Sequence, residues 1–79
     1  MNLRHTDNTM LAASLMARGH GMREAIKGSM GKVLFGFDQT SSVEEDIVKF
    51  NSGDLEGNVT EVFSNYRELL NLISKLKKA

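Results

Sequence analysis

Apolar residues recur every three or four positions along the last third of the chain: Val59, Val62, Phe63, Tyr66, Leu69, Leu70, Ile73 and Leu76. That spacing is the helical period. Asn58 can cap the start, with Glu61 three residues on where a capping-box side chain reaches back. Lys75, Lys77 and Lys78 sit at the negative end of the helix dipole. The pattern predicts a helix over about 58–78. In heptad terms Val59, Tyr66 and Ile73 take the a positions and Val62, Leu69 and Leu76 the d positions, while Phe63 and Leu70 fall at e. The apolar e positions widen the stripe beyond a two-stranded seam. Such a face calls for a groove between two helices, from its own chain or from a partner chain.

A second segment, SSVEEDIVKF, offers Ser41 with Glu44 or Ser42 with Glu45 as a capping box, and Val43, Ile47, Val48 and Phe50 as an apolar face. Gly53 suits a left-handed C-terminal cap. A short helix is expected over 42–51, followed by a linker at 54–58. Toward the N-terminus, Thr6, Asp7 or Asn8 can cap a helix through TMLAASLMAR, over about 8–18. Gly19 and Gly21 then interrupt, each costing roughly 1 kcal/mol inside a helix. From Met22 the period resumes through Ile26, Met30, Val33 and Phe37, which predicts a helix over about 21–35. A short strand over 32–37 competes, since Val-Leu-Phe-Gly-Phe has β character. No second strand is evident to pair with it, and an isolated strand is unstable. The expected fold class is therefore all-α: a small bundle of three longer helices and one short one, in a single helical domain spanning 1–79.

Five of the seven glycines fall within residues 16–37, which invites a phosphate-binding or nucleic-acid reading. Gly31-Lys32 is followed by Val33, and the residue five before Gly31 is Ile26, so the phosphate-loop spacing fails. Gly19 and Gly21 begin a dinucleotide fingerprint, but Glu24 occupies its third glycine position. Gly28 and Gly31 have the spacing of a KH-type backbone clamp, without the strands that module needs. A helix-turn-helix about Gly31 would place its recognition helix over 34–42, where no Arg or Lys could reach a base. The glycines read better as a turn at 19–21 and as small residues, or a kink, at 28 and 31.

Composition narrows the function. There is no Cys among 79 residues, which removes disulfides, a thiol nucleophile and nearly all structural zinc chemistry. Ten basic and ten acidic residues cancel, against broad electrostatic binding to a nucleic-acid backbone. No run approaches the roughly 18 apolar residues of a membrane span, and the N-terminus lacks the apolar core of a secretory signal. A cytoplasmic location is expected. His20 with Glu24, and His5 with Asp7, are half-sites for a metal at best. The run Glu44-Glu45-Asp46 is read as first-turn acids favouring the helix dipole. No metal, cofactor or catalytic group is assigned.

All five Met residues, at 1, 10, 16, 22 and 30, fall in the first half. Met fills irregular gaps and also makes adaptable binding surfaces. The functional expectation is a small non-enzymatic interaction or regulatory protein. It would self-associate, as a homodimer or higher homo-oligomer, through Val59, Val62, Phe63, Tyr66, Leu69, Leu70, Ile73 and Leu76. It would present Met16, Met22, Met30, Leu34 and Phe35 to an unidentified partner protein. The alternatives are a small dimeric DNA-binding regulator using Arg18, Arg23, Lys27 and Lys32 as nucleic-acid contacts, and a structural subunit of a larger assembly.

Overall fold

The structure, a computed structural model, describes residues 2–78. In chain order it holds β1 (Leu3–Thr6), α1 (Thr9–Ala17), β2 (Met22–Lys27), β3 (Val33–Asp38), α2 (Ser41–Ser52) and α3 (Val59–Lys78). A 3-10 turn, Ser29–Gly31, joins β2 to β3. The fold is α+β, three helices with a three-stranded antiparallel sheet, and the expectation of an all-α helical bundle is overturned.

The error lies in 21–38 and at the N-terminus. The helix expected over 21–35 is instead a β-hairpin, and the competing strand at 32–37 is β3. β3 is the central strand, in the order β1-β3-β2, antiparallel to both neighbours. Val33, Phe35 and Phe37 alternate onto one face and are buried, while Leu34, Gly36 and Asp38 point the other way. Its two pairing partners are β2 and the four-residue strand LRHT.

The other three helices stand close to the expected positions. Asn8 caps α1, its side chain accepting from Leu11 N–H at 3.0 Å. Five consecutive residues of α1 are buried: Leu11, Ala12, Ala13, Ser14 and Leu15. A helix apolar all round belongs between layers, and α1 packs against the sheet, α2 and α3. Ser14 satisfies its hydroxyl by donating to the Met10 carbonyl at 2.8 Å. The Asn65 amide of α3 donates to the Ala13 carbonyl at 3.2 Å.

α1 and α2 close with the same chain reversal. Gly19 (φ +95°) follows α1 and Gly53 (φ +80°) follows α2, each in the left-handed region. In both, two backbone N–H groups turn back to the last helical turn: Gly19 to Met16 and His20 to Leu15, Gly53 to Phe50 and Asp54 to Lys49. The cap of α2 is Thr40, accepting from Val43 N–H at 3.1 Å, and not Ser41 or Ser42. Asn58 caps α3, accepting from Glu61 N–H at 3.1 Å.

The core gathers Leu11 and Leu15 of α1, Phe35 and Phe37 of β3, Val43 and Ile47 of α2, and Leu69 of α3. Phe35, Phe37, Leu15, Leu69 and Val43 are the largest fully buried side chains. Each is worth about 1.5–3 kcal/mol of transfer free energy. The helices cover one face of the sheet, so among the described residues no element packs on the face that carries Leu34, Gly36 and Asp38. Among the described residues, no helix is long and apolar enough to cross a membrane.

Candidate functional site

A helix of 20 residues is roughly 30 Å long, and α3 uses only part of its apolar arc on its own core. Leu69 is buried, and Val62, Tyr66, Leu72, Ile73 and Leu76 pack partly buried around it. Val59, Phe63 and Leu70 are 66%, 58% and 44% exposed. They line one side of the helix. Beside its N-terminal half lies a groove of about 340 Å³, lined by Met10, Phe50, Leu55, Val59, Val62 and Phe63. Of the eight residues assigned to self-association, three are therefore free to meet a partner. Leu69 is fully committed to the core, and the other four are half-committed.

The linker that forms the groove's rim is tied down from beneath. Arg18, at the end of α1, donates from Nη1 to the Glu56 carbonyl at 3.3 Å. Its Nε lies 3.6 Å from the carboxylate of Asp46 on α2. His20 Nε2 makes a hydrogen bond with the same carboxylate oxygen at 2.7 Å. Asp46 is buried, 6% exposed. Burial alone would raise its pKa, but the His20 hydrogen bond and the charge of Arg18 outweigh that and hold it below the ordinary value. The run Glu44-Glu45-Asp46 predicts only dipole-favouring acids, whereas Asp46 is the anchor of a cross-element cluster. The available signal was its place between Val43 and Phe50, on the apolar side of α2.

A second histidine–carboxylate pair crosses the uncovered sheet face. His5 on β1 and Glu24 on β2 are both paired with Gly36 of β3. His5 Nε2 and Glu24 Oε2 meet over it at 2.6 Å. A β-carbon on Gly36 would stand 2.9 Å from Glu24 Cγ and 3.0 Å from His5 Nε2. The bridge exists because the central residue has no side chain. The half-sites His20 with Glu24 and His5 with Asp7 are thus separated: each histidine takes a carboxylate from a distant element, and Asp7 faces Lys32 at 3.3 Å. Among the described residues, no group of three or more His, Asp or Glu is placed to hold a metal ion.

The residues expected to meet a partner protein scatter. Met16 and Met22 share a notch with Leu69 and Leu72 of α3. Met30 sits 95% exposed at the hairpin turn with φ +61°. Leu34 lies half-buried on the uncovered sheet face. Phe35 is fully buried and presents nothing; Met1 lies outside the described residues. The basic residues are not one free patch. Arg18 is engaged with Asp46, Arg23 lies 3.7 Å from Asp38, and Lys32 faces Asp7. Lys27 ends β2, exposed.

No protein-family model, no curated protein and no solved structure matches the chain.

Proposed function

We propose that this chain is a small non-enzymatic interaction protein that self-associates as a homodimer through α3. One observation carries the reading: the apolar arc of α3 is wider than the surface its own core covers, leaving Val59, Phe63 and Leu70 exposed in a row. Half-covered aromatic and aliphatic side chains in a row are what a partner surface desolvates.

The row is self-complementary. If two copies of α3 run antiparallel about a two-fold axis between Tyr66 and Arg67, Phe63 of one copy meets Leu70 of the other, and Val59 comes opposite Ser74, beside Ile73. An isologous contact of this kind closes on itself and stops at two copies. The groove beside Phe63 gives room for the partner's side chains.

The test is solution mass by light scattering across a concentration series. A mass moving from one chain to two supports the reading, and Phe63→Glu or Leu70→Glu should hold the protein at one chain at every concentration. A native chain that is a strict monomer at every concentration overturns it.

A further inference from the structure

We infer that the opposite flank of α3, together with the outer edge of β2, is a docking site for an extended, acidic segment of another protein, added to the sheet as a fourth strand. This is a separate surface from the row of Phe63 and does not depend on self-association.

Three features of the molecule converge there. β2 is an outermost strand of the order β1-β3-β2. Among the described residues, no backbone hydrogen bond joins Met22–Lys27 to anything but β3. β2 carries a bulge between Met22 and Glu24 and pairs regularly with β3 from Glu24 to Lys27, so its outer edge presents alternating unpaired main-chain groups over that stretch, roughly 13 Å long. Next, a notch of about 370 Å³ runs between this edge and α3, walled by Met16, Met22, Leu69 and Leu72. A strand hydrogen-bonded to β2 places every other side chain toward the helical layer, and the notch is where one of them lands. An edge strand, a helix beside it and an apolar slot between them is the geometry by which proteins capture extended peptides. Methionine walls adapt to the shape of the side chain that enters.

Charge selects the occupant. Arg23 and Lys27 both lie exposed on β2, and Lys75 stands at the notch rim against a single acid, Glu68. Glu24 is engaged with His5 on the far face. A second copy is disfavoured: β2 carries Arg23 and Lys27 exposed, and its one acid, Glu24, is engaged on the far face, so two β2 edges brought together set positive charge against positive charge. The same two residues favour a strand carrying Asp or Glu at both ends of a central apolar residue. Arg23 can turn from Asp38, because that pair is long and solvent-exposed.

The experiment is selection from a library of displayed random ten-residue peptides against the purified protein, followed by synthesis of the enriched peptides. Enriched sequences are expected to alternate, with one aliphatic residue between acids. Their backbone amide signals are expected to shift at Met22–Lys27 and along residues 68–75 of α3. N-methylation of two alternate peptide amides should weaken binding at least tenfold, roughly the worth of two main-chain hydrogen bonds. Lys27→Glu, an exposed change that leaves the fold intact, should weaken it about threefold to tenfold. Three results overturn the proposal: no enrichment over an empty surface, peptides that bind equally well when N-methylated, or signal shifts centred on the Phe63 groove.

Discussion

Replacing Asp46 with Asn tests whether the buried carboxylate holds three elements together. Asn keeps the size and one acceptor oxygen but removes the charge. In the native cluster Asp46 accepts from His20 at 2.7 Å and lies 3.6 Å from the Arg18 guanidinium. A hydrogen bond to a charged group contributes about 1.5–3 kcal/mol and a neutral one about 0.5–1.5 kcal/mol, so the exchange loses about 1–2 kcal/mol. The Arg18 contribution is small beside this: its side chain is 40% exposed, and an ion pair open to solvent adds under about 1 kcal/mol. Relief of the desolvation of a 6%-exposed carboxylate works in the opposite direction. The expected net loss at pH 7 is about 1–1.5 kcal/mol, or about 4–10 °C in Tm for a domain of this size.

The pH dependence gives the sharper test. Asp46 has its pKa lowered in the folded state from an ordinary value of 3.8. A depressed carboxylate contributes stability that is fully present above the ordinary value and is lost as pH falls through the folded one. Urea unfolding of both proteins, followed by circular dichroism from pH 8 down to pH 2 at fixed ionic strength, measures the difference directly. The native chain should lead by about 1–1.5 kcal/mol at pH 7, and the two curves should converge below the ordinary carboxylate range. A difference that stays constant to pH 2 would show that Asn fails for a steric reason. A more stable Asn protein at pH 7 would show that the desolvation cost of Asp46 exceeds everything it gains from His20 and Arg18.

Phe63→Ser should raise the dimer dissociation constant about 30- to 150-fold. Fully burying a Phe is worth about 1.5–3 kcal/mol; with 58% of it still exposed, each copy loses about 1–1.5 kcal/mol, counted twice by symmetry. Sedimentation equilibrium reads the change, and a large fall in monomer stability instead would place Phe63 in the core. Gly36→Val should cost about 1–3 kcal/mol by overpacking, because its Cβ would stand 2.9 Å from Glu24 Cγ. The cost should shrink when His5→Ala is also present, and an equal cost in both backgrounds refutes the crowding argument. Met30→Gly should raise stability by up to about 1 kcal/mol, since φ +61° strains any side chain and the residue is 95% exposed. A lower Tm would show that Met30 does pack.

α2 and α3 were legible because each announces itself twice, by period and by end chemistry, while α1, apolar all round, is marked by its cap and by the glycines that follow it. Asn8, Asn58 and Gly53 each do what their position implies. The sheet was not legible, for a reason internal to the sequence. Met22, Ile26, Met30, Val33 and Phe37 fit a helical period by accident, because Met30 lies in a turn and the others in two strands. The true alternation of β3, with Val33, Phe35 and Phe37 inward, is hidden by Leu34, an apolar residue on the outward side. An isolated strand is unstable, and β3 stands because β1 and β2 pair with it on either side. β1 is four residues of mixed polarity, two of them exposed, and carries no pattern at all. Both histidine pairs share this limit: they join residues 19 and 26 positions apart, and only the fold brings them together.

α3 shows what a stripe can and cannot say. Its width was evident from the chain, and width alone argues that more than one surface is to be covered. The structure divides that arc. The flank with Leu69 and Leu72 faces the core and the notch beside β2, while the flank with Val59, Phe63 and Leu70 faces solvent. Ala12 and Ala13 of α1 are both fully buried, and the Ala13 carbonyl accepts from the Asn65 amide of α3 at 3.2 Å. A larger pair there would push α3 outward and expose the half-covered Val62 and Tyr66 as well. The small residues of α1 therefore set how much of α3 its own chain consumes, and so how much is left for a second copy to cover.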